Sequence, residues 1–327
     1  MAWDEIHGHE VAKRLLRSDL AGGRVASAYL LVGPDGIGKR RLALELAMAL
    51  NCARQGDASC GHCGPCQQIA RGVHPDVHVL APGGAAQRIS IDQVRQALGR
   101  AALRPYSARM QVVIVDGADR LTEEAGNSLL KSLEEPSSTT RFVLTTAQPA
   151  HCLATILSRC QVLRCQPLPT DDLARIVMRD AHVEPAAART IARLAGGSAS
   201  RALALAGRWR EHMAAIERLR QPTVAAWVER PLPDAREEVT QLLEDMIGWL
   251  RDVAVTAAAP GAPDALLVHA GEAATLRDQA GRVDLDRCLD TAAELMTLRD
   301  SLEQFVSTRV VATLAREKWL SLYSTTA

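Results

Sequence analysis

The sequence predicts an α/β P-loop domain on a parallel sheet, followed by a small helical lid and an all-helical end. Three observations predict it. Short apolar runs alternate with helical patterns through the first half, and a glycine-rich loop, Gly33 to Lys39, joins the first strong strand to a helix. After Pro167-Leu-Pro169 the strand-like runs stop and Ala- and Leu-rich helical patterns take over. Strand–helix alternation of this kind implies a layered domain with right-handed crossovers.

The candidate strands are Ala28–Val32, Val77–Leu80, Val112–Val115, Phe142–Thr146 and Val162–Cys165. Most are continuous apolar runs, as expected for strands buried on both faces of a parallel sheet. A helix is expected over Arg41–Leu50. Ser90 with Gln93 forms a capping box ahead of Val94, Ala97, Leu98 and Ala101. Thr122 serves as an N-cap, Glu123 and Glu124 favour the first turn, and Pro136 stops that helix. His151–Leu157 reads as a helical stretch. Cys152 and Cys288, on helical patterns, read as small buried apolar groups, and Cys165 falls on a strand. Thr170–Gly207 reads as a small helical unit with an internal turn at Gly196-Gly197-Ser198. Beyond Arg208 the helical pattern breaks near Pro231–Pro233 and Pro260–Pro263. The expected division is 1–168, 169–207 and 208–327.

Composition excludes several function classes. The 38 basic and 38 acidic side chains balance, so the chain lacks the strong field of an autonomous nucleic-acid binder. No uncharged apolar run reaches the roughly 18 residues needed to span a membrane. Met1–Leu20 carries Asp4, Glu5 and Glu10 and does not read as a signal peptide. A cytoplasmic location follows as the expectation. In that reducing setting the eight cysteines point to metal binding or free thiols rather than disulfides.

The loop Gly33, Gly36, Gly38 and Lys39 has the spacing of a phosphate cradle, in which glycines admit backbone N–H groups and the lysine reaches the phosphates. Its last position departs from the pattern. Arg40 stands where a Ser or Thr hydroxyl would hold Mg²⁺, and a guanidinium has no lone pair for a metal. The strand at Val112 ends in Asp116, placed to support Mg²⁺, but Gly117 follows where many such ATPases carry a water-orienting glutamate.

Four cysteines fall as Cys52-x7-Cys60-x2-Cys63-x2-Cys66, and four thiolates satisfy tetrahedral Zn²⁺. Similar spacing occurs in iron–sulfur proteins, but those continue with x3-Cys-Pro, whereas Gln67–Ala70 follows here. The only Lys or Arg in the insert is Arg54, and it has no aromatic ring, so the zinc reads as structural. His62 is superfluous beside four thiolates, and His74, before Pro75 and Asp76, shapes a turn.

Taken together these residues resemble the clamp-loader branch of the AAA+ ATPases, which serves DNA polymerase III in bacteria. The resemblance rests on the P-loop with its cysteine insert, His74-Pro75-Asp76, the run Asn127–Pro136 and Ser158-Arg159-Cys160, covering most of Ala28–Leu168. Gly196–Arg201 resembles the sensor-2 region of the lid. The final helices match by position only. The resemblance implies a hetero-pentamer with ATPase motor and delta subunits, in which the helical ends form a collar and the assembly loads a sliding clamp on primed DNA. It implies that Arg159 acts in trans on the neighbouring subunit's ATP. It also implies that Gly33, Gly36, Gly38, Lys39, Asp116 and Arg201 form a degenerate nucleotide site, with vestigial ATP binding and no hydrolysis. Any polymerase activity belongs to the larger DNA-directed DNA polymerase complex. Two alternatives stay open at this point: an ATP-hydrolysing motor subunit, and a zinc-dependent nucleic-acid binding module, which the two Phe, five Trp and three Tyr disfavour.

Overall fold

The structure is a computed structural model that describes residues 3–84, 87–228, 231–302 and 306–324. It divides into two compact units, Met1–Ile176 with Gly196–Arg201, and Val177–Ala195 with Ala202–Ala327.

The first unit runs α1 (Glu10–Ala21), β1 (Ala28–Val32), α2 (Lys39–Asn51), α3 (Gly64–Ala70), β2 (Val77–Leu80), α4 (Ile91–Ala101), β3 (Gln111–Asp116), α5 (Glu123–Glu134), β4 (Thr140–Thr146), α6 (Ala154–Leu157) and β5 (Gln161–Arg164). The strands form one sheet in the order β2-β3-β4-β1-β5, every pairing parallel. All five expected strands form, with ends within two residues of expectation. Alternate residues explain the continuous apolar runs. Tyr29, Leu31, Val112, Ile114, Val143 and Leu163 pack on one face with Leu42 and Leu46 of α2. Ala28, Leu30, Val113, Val115, Phe142 and Leu144 pack on the other with Val94, Leu129 and Ile156. Each fully buried side chain of this size contributes about 1.5–3 kcal/mol, so both faces must be apolar.

The capping box at Ser90 and the N-cap at Thr122 form as expected. Two expectations are corrected. The stretch His151–Leu157 is not one helix: a 3₁₀ turn covers Pro149–His151, Cys152 and Leu153 are outside any helix, and α6 has four residues. The Leu153 side chain drops onto Gly126 of α5, so close that a Cβ there would lie 2.6 Å from it, and this docking overrides helix continuation. Cys152 is therefore buried but not helical. Cys165 is buried one residue beyond β5, its N–H donating to the Val32 carbonyl at 2.7 Å.

The chain continues with α7 (Thr170–Ala181), α8 (Pro185–Leu194), α9 (Ala199–Gly207), α10 (Trp209–Arg220), α11 (Val224–Val228), α12 (Arg236–Ala258), α13 (Ala273–Ala280), α14 (Leu285–Ser301) and α15 (Thr308–Tyr323). No strand occurs in it among the described residues. Pro231–Pro233 separates α11 from α12, and Pro260–Pro263 follows α12. The core of the second unit gathers around α12, whose Leu243, Met246, Trp249 and Leu250 are fully buried with Trp227 and Trp319. No described helix is long and apolar enough to cross a membrane.

Candidate functional site

In an open parallel sheet, ligands sit beyond the carboxyl ends of the strands where the strand order reverses. Here β1 lies between β4 and β5, and the glycine loop leaves its carboxyl end. Register sets Asp116 opposite Thr145 and Val32 opposite Thr146, so the ends of β1, β3 and β4 come to one level. Gly33 lies so close to the Cys165 carbonyl that a Cβ would fall 2.2 Å from it. Lys39, only 7% exposed, donates to the carbonyls of Gly33 and Pro34, both at 2.6 Å. Gly38, in the left-handed region, caps α2 with no side-chain acceptor on the helix's first N–H groups. These donors remain open to an anion.

The metal position is different. An Arg40 Nη lies 3.5 Å from Asp116 Oδ2, and the Thr145 hydroxyl donates to Asp116 Oδ1 at 2.8 Å. Both oxygens of the expected magnesium-supporting carboxylate are thus engaged, one of them by a cation. The donor set does not fit Mg²⁺, which needs oxygen ligands in near-octahedral array. Gly117 offers no side chain; its N–H donates to Thr145 Oγ1 at 3.0 Å.

The segment Gly196–Arg201 packs on the loop. The Ser200 N–H donates to the Gly36 carbonyl at 3.2 Å, and a Cβ on Gly36 would lie 1.9 Å from Ser200 Oγ and 2.3 Å from Ser198 Oγ. Gly36 is required by this close approach as well as by its positive φ. Arg201 is exposed at the start of α9, its N–H donating to Ser198 Oγ. Sequence reasoning missed the roles of three side chains here. Ser198 and Ser200 form the rim, and His9 donates from Nε2 to the Ile37 carbonyl at 2.8 Å. Burial, with Lys13 and Lys39 nearby, keeps that imidazole below its ordinary pKa. No periodicity marks residues that meet only through the fold.

At the other end of α2 the four cysteines converge. Their sulfurs all lie within 4.8 Å of one another, with Cys52 and Cys66 buried. A tetrahedron of 2.3 Å Zn–S bonds has edges of about 3.8 Å, so small movements close the cage. The Cys60 N–H donates to Cys52 Sγ at 3.3 Å, and the Cys63 N–H to Cys60 Sγ at 3.4 Å. Backbone N–H groups of His62 and Cys63 bring the Cys60 thiol down to about 6, whereas burial pushes Cys66 up to about 12. The donor set can hold a metal ion. The knuckle is tied down by Glu45, which accepts from the Ser59 N–H at 3.1 Å and hydroxyl at 2.9 Å, and by Arg109, which donates to the Cys52 carbonyl at 2.8 Å. Glu45 is fully buried on α2, and burial raises its pKa. A lone acid inside the apolar run Leu42–Leu50 is the signal that would have flagged it.

Asp76 accepts three backbone N–H bonds from Tyr106, Ser107 and Ala108 at 2.7–2.8 Å, and His74 Nδ1 accepts from the Asp76 N–H. His74 shapes a turn, as expected. Arg159 lies apart from the loop. It precedes β5, whose first residue registers with Tyr29 at the amino end of β1, whereas the loop follows the carboxyl end. Its guanidinium donates to Glu134 at 2.5 Å and to the Thr155 carbonyl at 3.0 Å.

Comparison with known proteins decides the family. The family model described as DNA polymerase III, delta subunit matches residues 8–169. DNA polymerase III subunit delta' of Pseudomonas aeruginosa is 46% identical over 151 residues, which cover 45% of this chain and 46% of that protein. The Escherichia coli delta' subunit is 32% identical over 235 residues, covering 65% of this chain and 70% of that protein. The chain belongs to the DNA polymerase III delta-prime family. The match to the Pseudomonas relative thus spans less than half of that protein's length. Likeness extends to a second kind of subunit as well: DNA polymerase III subunit tau of Escherichia coli is 33% identical over 207 residues, covering 62% of this chain and 32% of that protein. What separates the two kinds of subunit must be sought in individual residues.

Proposed function

We propose that the chain is a non-hydrolysing clamp-loader subunit that lends Arg159 to a neighbouring ATPase. The observation that carries this reading is the Arg40–Asp116 pair, which sets a cation where a hydrolysing P-loop holds its metal. Gly117 supports it, because the position offers no carboxylate to orient water. In hydrolysing relatives the metal bridges phosphate oxygens and neutralises developing charge; here no residue at that position ligates one. Arg159, at the opposite end of the sheet from the loop, cannot serve its own chain's site and suits transfer across an interface. A planar guanidinium delivered there stabilises a transferring phosphate, worth about 10³–10⁵ in rate elsewhere.

The cysteine cage holds one structural Zn²⁺ in this reading, supplying local order and no chemistry. Residues 169–207 act as the lid and 208–327 as the collar, joining motor and delta subunits in a cytoplasmic hetero-pentamer that loads the sliding clamp on primed DNA. The test is ATP turnover by the purified chain, alone and reconstituted with motor subunits. The expected result is background turnover alone and stimulated turnover in the complex. Turnover by the isolated chain that disappears with Lys39→Ala would overturn the proposal.

A further inference from the structure

Asp245 and Asp252 lie on α12 two turns apart, a spacing that puts them on one face of the helix. Both carboxylates are buried among the helix's apolar residues. Each receives an imidazole from a different segment. His212 of α10 donates from Nδ1 to Asp245 Oδ1 at 2.8 Å, and His269, in the connection from α12 to α13, donates from Nδ1 to Asp252 Oδ2 at 2.9 Å. A carboxylate on Nδ1 keeps the ring proton there, so the neutral imidazole offers a lone pair at Nε2. Both Nε2 atoms are buried without a partner, on side chains only 1% and 3% exposed. Buried lone pairs left open are costly, and two in one place call for a ligand. The two rings line one cleft of about 220 Å³ with Trp209 and Glu272, and their centroids lie 6.0 Å apart.

We propose that His212 and His269 hold a transition-metal ion of the Zn²⁺ class between their Nε2 atoms, a second metal site that clips α10 and the α12–α13 connection onto α12. Two imidazoles on one ion, with bonds of about 2.0–2.1 Å, place their ring centroids about 5–6 Å apart, which is the spacing found. A ligating histidine gives its other ring N–H to a carboxylate, and that outer contact fixes the ring and strengthens the nitrogen as a ligand. Here both carboxylates are themselves held. Gln241 donates to Asp245 Oδ1 at 2.8 Å, and Asp252 accepts from the Val268 and His269 N–H groups and from Arg251. Trp209 stacks on His212 and Trp249 tilts against His269, which steadies both rings. Charge points the same way. Asp252 pairs with Arg251, but among the described residues no lysine or arginine pairs with Asp245, and a cation on His212 supplies the missing charge. The remaining coordination positions fall to water from the cleft, since Glu272 is engaged by Arg220. The site is independent of the cysteine cage and of the non-hydrolysing reading.

The experiment takes the full chain with its cysteine cage already filled with zinc and titrates further Zn²⁺ at neutral pH by calorimetry. Wild-type protein should take a second equivalent and melt at a higher temperature as it does so. His212→Asn and His269→Asn each keep a side-chain N–H for the aspartate and remove the ligating nitrogen. Each should weaken the second equivalent by about tenfold or more and leave the first in place. Cobalt supplied as the second equivalent should add absorption without a new thiolate-to-metal band, the mark of nitrogen and oxygen ligands. The wild-type imidazole Nε2 resonances, followed through the same titration, give an answer even where a variant does not fold, and both should move with the second equivalent. Saturation at one equivalent, a second equivalent that both variants keep, or Nε2 resonances that do not move overturns the proposal.

Discussion

Helix α2 carries a ligand-shaped loop at each end, and the two have fared differently. At its amino end the phosphate loop keeps its glycines and lysine, but Arg40 occupies the approach to Asp116. At its carboxyl end four cysteines converge with every donor in place and a buried carboxylate, Glu45, anchoring the knuckle. One substitution of a hydroxyl by a guanidinium changes the chemistry of the first site without disturbing its backbone, since the loop still packs on Cys165 and Ser200. The second site tolerates no such change. Four ligands are the minimum for a closed tetrahedral site, so each cysteine is indispensable.

The largest effect should come from breaking the complete site. Cys63→Ser is expected to remove one zinc per chain and to release on the order of 10 kcal/mol of local order. The sheet should still melt cooperatively, because its two cores lie on β-strand side chains. Metal analysis with near-ultraviolet dichroism checks both points, and protein purified with a coloured iron cluster or with no metal refutes the assignment.

Removing the anchor rather than a ligand sharpens the same contrast. Glu45→Ala strips the Ser59 N–H and hydroxyl of their acceptor in a buried setting, a loss of about 2–4 kcal/mol. Because the four thiols remain, the metal should stay bound while chemical denaturation shifts. If Glu45→Ala lost zinc as fully as Cys63→Ser does, the carboxylate would belong to the cage itself.

Asp76 gives an intermediate effect with a pH signature. Burial alone would raise its pKa, but the N–H groups of Tyr106, Ser107 and Ala108, with His74 nearby, hold it below its ordinary value. A carboxyl lower in the folded state contributes stability that is present above its unfolded pKa of about 3.9 and is lost as pH falls through the folded value. Asp76→Asn should therefore cost about 1.5–3 kcal/mol at neutral pH, the gap to wild type closing in acid. Urea melts at neutral and acidic pH measure it; a gap that persists unchanged in acid would contradict the proposed cause.

The same two ends of α2 show what sequence could reveal. Strand positions were legible because both sheet faces are buried, which writes the pairing into continuous apolar runs. The phosphate loop and the cysteines were legible because each is local: glycines, lysine and thiols lie within a few residues of one another. Contacts between distant segments were not. Nothing in Ser198 and Ser200 announces that they rest on Gly36, and nothing in Glu134 announces its bond to Arg159. The break at Cys152–Leu153 was missed for the same reason, since Leu153 is held by Gly126 on another helix. The unusual Arg40 was visible at once, but its pairing with Asp116 needed the sheet register that levels β3 with β1.

The smallest effect on the isolated chain is expected at Arg159, and there the contrast with Arg40 is greatest. Both are arginines facing a carboxylate, but Arg40 is at the chain's own loop and Arg159 lies at the other end of the sheet. The Arg159–Glu134 pair is partly exposed, and such pairs contribute about 0–1 kcal/mol. Arg159→Ala should accordingly leave melting temperature, zinc content and subunit assembly nearly unchanged. In a reconstituted complex it should lower ATP turnover and clamp loading, by less than the single-site factor if other motor sites keep their own arginines. To reach a neighbour's phosphate, the guanidinium must leave Glu134. Glu134→Gln therefore keeps the shape but weakens the hold, and should leave turnover at or above the wild-type rate. Arg159→Lys should rescue poorly, because an ammonium keeps the charge and loses the planar fork. Wild-type turnover with Arg159→Ala would show that this arginine only caps the end of α6, through the Thr155 carbonyl and Glu134.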